Sequence, residues 1–464
     1  MVKRPIKIPF ITTSLVTDLM LFFILLPVWT FLGITQFVGP ALMFFLFFKL
    51  IIRSSIHRTE ISIPFLLSTF FLIFLLSSLI SGLLIQESYW RLVFLRNFIV
   101  YVAAFLLFIV GYNAIKTKED FTKILWALCI MAFFASLIGL FALANLIPLK
   151  SFFIAPISRI MPESIKSSEY FSSIIHPAIG DIIQVLGIRM KRISSLFPFP
   201  NIFAAVLIMV IPFQIFLYKT SSGLKQIFLF LSLPALLINL IWTFSRGAIL
   251  AIVVSSFIFV FHYSLIKKSM KRVMILAGLV AGVCVFVLFV FSYRNTIVNE
   301  VNPMSMQIRT FIFEQSIDSW KESPLFGWGT QRNVEVVGGM PNSPQSTVPA
   351  LGTHSHYLSL LYRYGLIGLV LFGFIYWLVF LEIFKPLRTQ NKNPFWLFLL
   401  MYCGWAFAAN MVHAVFIEMD FDVILFLTIW LNWSLIFSAR SIIEKGLDTA
   451  PAERNKTDRA VPPD

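Results

Sequence analysis

Apolar runs of roughly 18 to 25 residues recur along the whole chain, and each is long enough as a helix to cross about 30 Å of hydrocarbon. The runs fall at 14–31, 35–53, 62–84, 92–113, 121–146, 201–218, 226–243, 247–264, 272–292, 357–383, 395–416 and 421–438. That is about twelve expected spans. Helices are the expected elements, because lipid cannot satisfy an unpaired backbone amide and the sequence lacks the alternation a barrel needs. With 58% hydrophobic and 16% aromatic residues among 464, and a mean hydropathy of +0.86, the apolar surface is too large for one soluble core. The sequence therefore reads as an all-α, polytopic integral membrane protein.

Orientation follows from lysine and arginine in the short loops. Lys3, Arg4 and Lys7 precede the first run, and Arg53 and Arg58 follow the second. Lys116, Lys118 and Lys123 follow the fourth, and Lys219 and Lys225 the sixth. "KKSMKR" (267–272) separates the eighth run from the ninth, and Lys385, Arg388 and Lys392 separate the tenth from the eleventh. All these loops share one side, which places both termini in the cytoplasm. The formal charge of +15 is then mostly topology and not a sign of nucleic-acid binding. The basic, apolar N-terminus lacks a convincing small-x-small cleavage site and is expected to be a retained span. Cys129, Cys284 and Cys403 all fall within expected spans as small packing residues, so neither a disulfide framework nor a metal site is expected.

The organisation divides into spans one to five (1–146), an extracytoplasmic segment (147–200), spans six to nine (201–292), a large extracytoplasmic loop with an amphipathic helix (293–356), spans ten to twelve (357–438), and a cytoplasmic tail (439–464). The tail is polar with balanced charge and is expected to be disordered. Two long external segments against short internal loops direct attention to the outer face, and the absence of a strong internal repeat weakens a transporter built from matched halves.

Three stretches put basic residues there. "GIRMKRISSLFPFPNIFAA" (187–205) carries Arg189, Lys191 and Arg192 before a Pro-x-Pro-Asn turn. In that turn Asn201 is expected to cap a helix and Pro200 to restrict the chain entering it. Taken alone, Arg192 reads equally as a lipid-headgroup anchor. "TFSRGAIL" (243–250) places Arg246 at a helix start, where a cation beside exposed amides suits a small anion, and Gly247 permits a close backbone approach. "PMSMQIRTFIFEQSIDSW" (303–320) forms an amphipathic helix with Met306, Arg309, Phe313, Ile317 and Trp320 on one face. "SPLFGWGT" (323–330) stops it. A loop then leads to "LGTHSHYLSLLYRYGLIG" (351–368), where ionisable residues stand at the mouth of an apolar run. Such side chains are costly near hydrocarbon and face a polar cavity or a partner. Several arginines with a histidine suit diphosphate chemistry, since guanidinium forks match phosphate oxygens and imidazole can accept a proton near neutral pH.

These residues resemble the O-antigen ligase and polymerase superfamily of membrane glycosyltransferases. The ligase pattern of His, then Asn, Ser or Gln, then nine residues, then Gly-x-x-Gly is met by His354, Ser355, Gly365 and Gly368. Ser-Arg-Gly at 245–247, the Arg192-to-Asn201 stretch and "DSWKESPLFGWGT" (318–330) are similar to the family's shared segments in the same order, over about residues 185–435. The resemblance implies a GT-C-type all-helical enzyme of a bacterial inner membrane whose site opens extracytoplasmically. Its donor would be an undecaprenyl diphosphate-linked glycan, transferred with inversion and without a metal or other cofactor. The acceptor would be lipid A core, another glycan or a protein, with membrane lipids around it. Carried over, His354 is the candidate base or acceptor-orienting residue, Arg192 and Arg246 hold the diphosphate, and Arg309 helps. Many relatives carry an acid where Arg363 stands, which puts that acid's role in doubt here.

The absence of any Gly-x-x-x-x-Gly-Lys segment agrees with a donor already activated by its diphosphate. Among other ionisable residues, Asp18 and Arg96 are expected to pair or face a cavity. His356 is read as secondary because it falls on a different helix face from His354. His413, Glu418, Asp420 and Asp422 cluster near the external end of the last two runs, where a carboxylate could orient the acceptor, and are read first as an exposed loop. The leading function is ligation of a carrier-linked glycan to lipid A core. Alternatives are repeat-unit polymerisation, protein glycosylation and, from another class, a lipid-linked glycan flippase.

Overall fold

A computed structural model of the protein describes residues 13–86, 88–150, 154–162, 166, 174–185, 188–267, 303–330, 353–385 and 394–445. The helices in chain order are α1 Leu15–Ile24, α2 Leu26–Leu32, α3 Thr35–His57, α4 Phe65–Leu83, α5 Ser88–Ala114, α6 Lys118–Leu143, α7 Pro200–Thr220, α8 Leu224–Trp242, α9 Arg246–Lys267, α10 Pro303–Glu322, α11 His356–Phe384, α12 Pro394–His413 and α13 Val423–Lys445. Ten of them are long and apolar enough to cross a membrane, or eleven spans if α1 and α2, bent by 56° at their junction, are one. The fold is that of a polytopic all-α membrane protein. The expected span at 272–292, with Cys284, lies outside the described residues, as do 331–352 and the tail 446–464.

The first expected span is a broken helix because Pro27 stands within the first turn of α2, where its ring and missing amide interrupt the preceding ladder. Elsewhere local signals are straightforward. Thr117 and Asp120 form a reciprocal capping box that starts α6, the Thr117 hydroxyl accepting from the Asp120 amide at 3.2 Å and the carboxylate accepting from the Thr117 amide at 3.1 Å.

The bundle centre is α13 together with α7, with 94% and 83% of their apolar windows buried. α13 lies against α5, α12 and α3, whereas α7 lies against α12, α8 and α6. Between apolar helices in lipid, close packing and polar bridges do the joining. At Gly139 of α6, an added Cβ would sit 1.9 Å from the Asn239 amide oxygen, and the Asn239 amide nitrogen donates to the Ser136 carbonyl at 2.9 Å.

Two strands, β1 Gly180–Val185 and β2 Ile188–Ile193, form an antiparallel hairpin in the segment between α6 and α7, pairing Gly180 with Ile193 and Asp181 with Arg192. This hairpin was not expected from the sequence. Lys191 on β2 anchors it, its ammonium donating to the carbonyls of Ala142 at 2.7 Å and Leu143 at 2.9 Å and to the Asn145 side chain at 2.7 Å. These carbonyls belong to the last turn of α6, where a cation meets the favourable end of the helix dipole.

Candidate functional site

The described helices α3 to α9 alternate in direction through their short connections, as do α11 to α13, and the His413 Nε2 contact with the Asn201 carbonyl joins the two sets. This brings the hairpin, the start of α9, the start of α11 and the α12–α13 connection to one end of the bundle. At that end Arg192 is held by two elements. Its Nε donates to the Thr243 carbonyl at 3.0 Å and its Nη2 to the Asn201 Oδ1 at 2.9 Å. Asn201 therefore does not cap α7 as expected. The capping position is Phe199 without a side-chain cap, and Pro200 fills the first turn, where its missing N–H leaves nothing to satisfy. The amide oxygen of Asn201 is used to orient a guanidinium instead.

Arg246 is the exposed first residue of α9. Burial lowers the Arg192 pKa from its ordinary value, Asp181 opposes that, and the like charge of Arg246 pushes it down further. Arg192, fixed on the Thr243 carbonyl, and Arg246, three residues further on, gather two guanidiniums at the start of α9, an arrangement that favours an anion. Gly247 places the start of α9 against the next element: an added Cβ would lie 2.6 Å from the Phe416 ring in the α12–α13 connection.

That connection joins the arginine corner to the start of α11. The Nε2 of His413, at the end of α12, lies 3.3 Å from the Asn201 carbonyl, and the His356 amide donates to the Ala414 carbonyl at 2.8 Å. His354 precedes α11 with a left-handed backbone, φ +52°. It is half-buried, while Thr353, Ser355 and His356 are buried. Ser355 caps α11, its hydroxyl accepting from the Leu358 amide at 3.5 Å.

The acids of this connection are buried, which corrects the expectation of an exposed loop: Glu418 is 6% exposed, Asp420 2% and Asp422 1%, with His413 at 0%. The reason is charge pairing inside the bundle. Arg363 on α11 donates to Asp420 Oδ2 at 2.9 Å and to Glu418 Oε2. Asp420 also accepts from the Tyr101 hydroxyl at 3.0 Å, and His356 Nδ1 lies 3.6 Å from its other oxygen. Burial alone would raise the Asp420 pKa, but the Arg363 charge, helped by His356 and Tyr101, outweighs it and holds the carboxyl below the usual carboxylate range. His356 is accordingly an interior residue, packed on Phe372 and Tyr376.

One step further, Asp422 caps α13 by accepting from the Leu425 amide at 2.9 Å and also accepts from Gln36 at 3.0 Å. Burial raises its pKa, against the hydrogen bonds it accepts and the charge of Arg96. Arg96 donates to the Phe421 carbonyl at 3.0 Å and to Asn97 at 3.0 Å. At the other end of the bundle, Asp18 pairs with buried Lys49 at 2.5 Å. Both ionisable residues that the sequence marked as costly are thus matched inside protein.

α11 is broken at Gly365, whose φ of +66° and ψ of −168° belong to a region open essentially to glycine. The "SPLFGWGT" segment enters the break. The amides of Trp328 and Gly329 donate to the carbonyls of Tyr362 and Arg363 at 3.0 and 2.6 Å, while the amides of Leu366 and Ile367 donate to the carbonyls of Pro324 and Leu325 at 2.9 and 3.2 Å. Groups that a continuous helix would have paired internally are all satisfied by this insert. Gly327 must lack a side chain here, since a Cβ would come within 2.6 Å of the Tyr362 carbonyl and the Gly365 amide. The bend also folds Tyr364 over Gly368, where a Cβ would meet the Tyr364 Cβ at 2.3 Å. The two glycines of the Gly-x-x-Gly pattern thus serve one kink.

Residues 229–373 match the family model described as O-antigen ligase. That stretch is O-antigen ligase-like. No curated protein matches it. The ligase-like segment runs from α8 through the kinked first part of α11, so it contains Arg246, Gly247, His354, His356, Gly365 and Gly368, while Arg192, Pro200 and Asn201 precede it and the acids at 418–422 follow it. Arg309 lies within it on α10, and its side chain falls outside the described residues. Arg189 is exposed on β2, away from the contacts that hold Arg192.

On α10, Ile312 and Ser316 are buried, whereas Phe313 and Ile317 of the expected apolar face are exposed. The face that meets the bundle is therefore the neighbouring one. Residues missed by sequence reasoning are Thr353, Arg363, Glu418 and Asp420 as one ionic cluster. The signal was available, because an arginine at the eighth residue of an apolar helix of the ligase-like segment needs a counter-charge at the same depth.

Proposed function

We propose that the protein transfers a glycan from a polyprenyl diphosphate carrier to an acceptor hydroxyl at the extracytoplasmic face of a bacterial inner membrane, with both termini cytoplasmic. The observation that carries this reading is Arg192, fixed on the Thr243 carbonyl three residues before Arg246 and joined through Asn201, His413 and Ala414 to the turn that presents His354. O-antigen ligase-like character supports the glycan class.

In this reading the acceptor oxygen attacks the anomeric carbon as the carbon–oxygen bond to the diphosphate breaks, and the bonding electron pair leaves on the diphosphate. One displacement inverts the centre. The hydroxyl proton passes to the His354 imidazole and then to water, a role for which a positioned base contributes about 10² to 10⁴ in rate. Arg192 and Arg246 hold the departing diphosphate, and fixed donors at such a position contribute about 10² to 10³ each. The leading acceptor is lipid A core.

The test is reconstitution. Purified protein in liposomes receives a polyprenyl diphosphate-linked glycan with lipid A core, with excess donor alone, or with neither acceptor nor excess donor, and release of polyprenyl diphosphate and the glycan product are followed. Product on lipid A core supports ligation, and chain extension with donor alone supports polymerisation. Carrier movement across the bilayer without bond cleavage, or full transfer by His354→Ala, refutes the proposal.

A further inference from the structure

We infer that Thr353 and Glu418 are positioning residues that set the direction of the His354 imidazole; this rests on the role given to His354 above. The two oxygens of Glu418 serve two different elements. Oε1 accepts from the Thr353 hydroxyl at 2.8 Å, and Oε2 accepts from Arg363 of α11. Arg363 is itself fixed by a second carboxylate, Asp420, at 2.9 Å. The carboxylate that grips Thr353 is therefore immobilised at its other oxygen.

Within 353–356, three residues are tied down separately. Thr353 is held by Glu418, Ser355 caps α11, and the His356 amide is held by the Ala414 carbonyl. Thr353, Ser355 and His356 are 2%, 7% and 0% exposed, whereas His354 between them is half-buried. A histidine at φ +52° occupies a conformation uncommon for non-glycine residues, and such conformations persist where the surroundings over-determine them. Both anchors flanking His354 are side-chain hydroxyls, and the single Thr353 hydroxyl proton is shared between Glu418 Oε1 and the Ser355 carbonyl, each 2.8 Å away, which closes the turn across His354. Removing the Thr353 hydroxyl frees the turn on one side while leaving the imidazole itself unchanged.

The test compares Thr353→Val, Thr353→Ser, His354→Ala and the Thr353→Val/His354→Ala double variant in liposomes, with polyprenyl diphosphate-linked glycan and lipid A core. A misplaced reacting group costs up to about 10²-fold, so Thr353→Val is expected to lower kcat by about ten- to a hundred-fold with KM for donor within about two-fold. Thr353→Ser restores the rate. The double variant is no slower than His354→Ala, because Thr353 acts only through His354. Independently of turnover, diethyl pyrocarbonate modification of His354, read by mass spectrometry, is expected to be several-fold faster in Thr353→Val.

Wild-type kcat, additive losses in the double variant, or an unchanged modification rate would each overturn the inference. Full activity of His354→Ala would instead refute the proposed function, and the modification rate still decides the positioning. If Thr353→Val fails to accumulate, Glu418→Gln serves with the same two readouts. Its amide oxygen is drawn to Arg363 and turns an NH2 toward Thr353, releasing the hydroxyl, so an unchanged modification rate there also overturns the inference.

Discussion

At the scale of single residues, the end of the bundle that carries His354 is governed by charge balance. Arg363 neutralises two carboxylates that would otherwise sit buried and unpaired, and breaking such a pair by removing one partner costs about 3 to 5 kcal/mol. Arg363→Ala is therefore expected to lower the thermal unfolding midpoint in detergent strongly. Arg363→Lys recovers only part, because a point charge cannot fork to Glu418 and Asp420 at once. The pH dependence has a definite sign. The Asp420 carboxyl is depressed in the folded protein, so its stabilisation is fully present above the ordinary aspartate value of about 3.9 and is lost as pH falls toward the folded value. The difference in Tm between wild type and Asp420→Asn should be constant from neutral pH down to about pH 5 and shrink below about pH 4. At the arginine corner, Arg192→Lys keeps the charge but cannot hold the Thr243 carbonyl and Asn201 together. A loss of about 10² in kcat/KM for transfer is expected from the displaced donor, measured with the carrier-linked substrate.

At the scale of elements, the decisive feature is the insert in the α11 break. Gly365→Ala would place a Cβ 2.2 Å from the Leu325 carbonyl and force a residue with a side chain into positive φ. The expected outcome is a fall in Tm together with faster protease cleavage in 323–330. Gly373→Ala on the same helix, where an added Cβ meets nothing within 4 Å, should leave both unchanged. This feature also shows why some elements were readable in advance and others not. A span announces itself by sustained hydrophobicity, and α3 to α9 and α11 to α13 needed no more than that. The kink did not announce itself, since the Gly-x-x-Gly motif sits inside an unbroken apolar run, and what pairs its backbone comes from a segment 34 to 42 residues earlier. Asn201 and the acids at 418–422 were misread for the same physical reason. A side chain beside a helix start or in a loop is ordinarily a cap or solvated, and nothing local marks Arg192, nine residues before Asn201, or Arg363, more than 50 residues before the acids, as its partner.

At the scale of the whole molecule, sequence alone supplied the membrane class and the all-α architecture. It did not supply the hairpin, because two short strands carry little periodic signal beside so many helices. The proposed orientation leads to a labelling experiment. Cys129 and Cys403 are buried, so with Cys284 replaced by serine a cysteine introduced at exposed Arg189 should react with a membrane-impermeant maleimide from outside the cell. One at exposed Ser222, in the α7–α8 turn, should react only after the membrane is opened. The reverse pattern would turn the His354 end toward the cytosol and remove access to an extracytoplasmic acceptor.

The salt-bridged trio of Arg363, Glu418 and Asp420 also bears on how such a chain diverges. Because neither sign can change alone without stranding a charge in the interior, neutral drift is confined to reciprocal exchanges across α11 and the α12–α13 connection. Homologues with an acid at the first position should carry a base at one of the other two. Their histidine turn would then stand where it stands here, suspended from a mirror-image arrangement of charge.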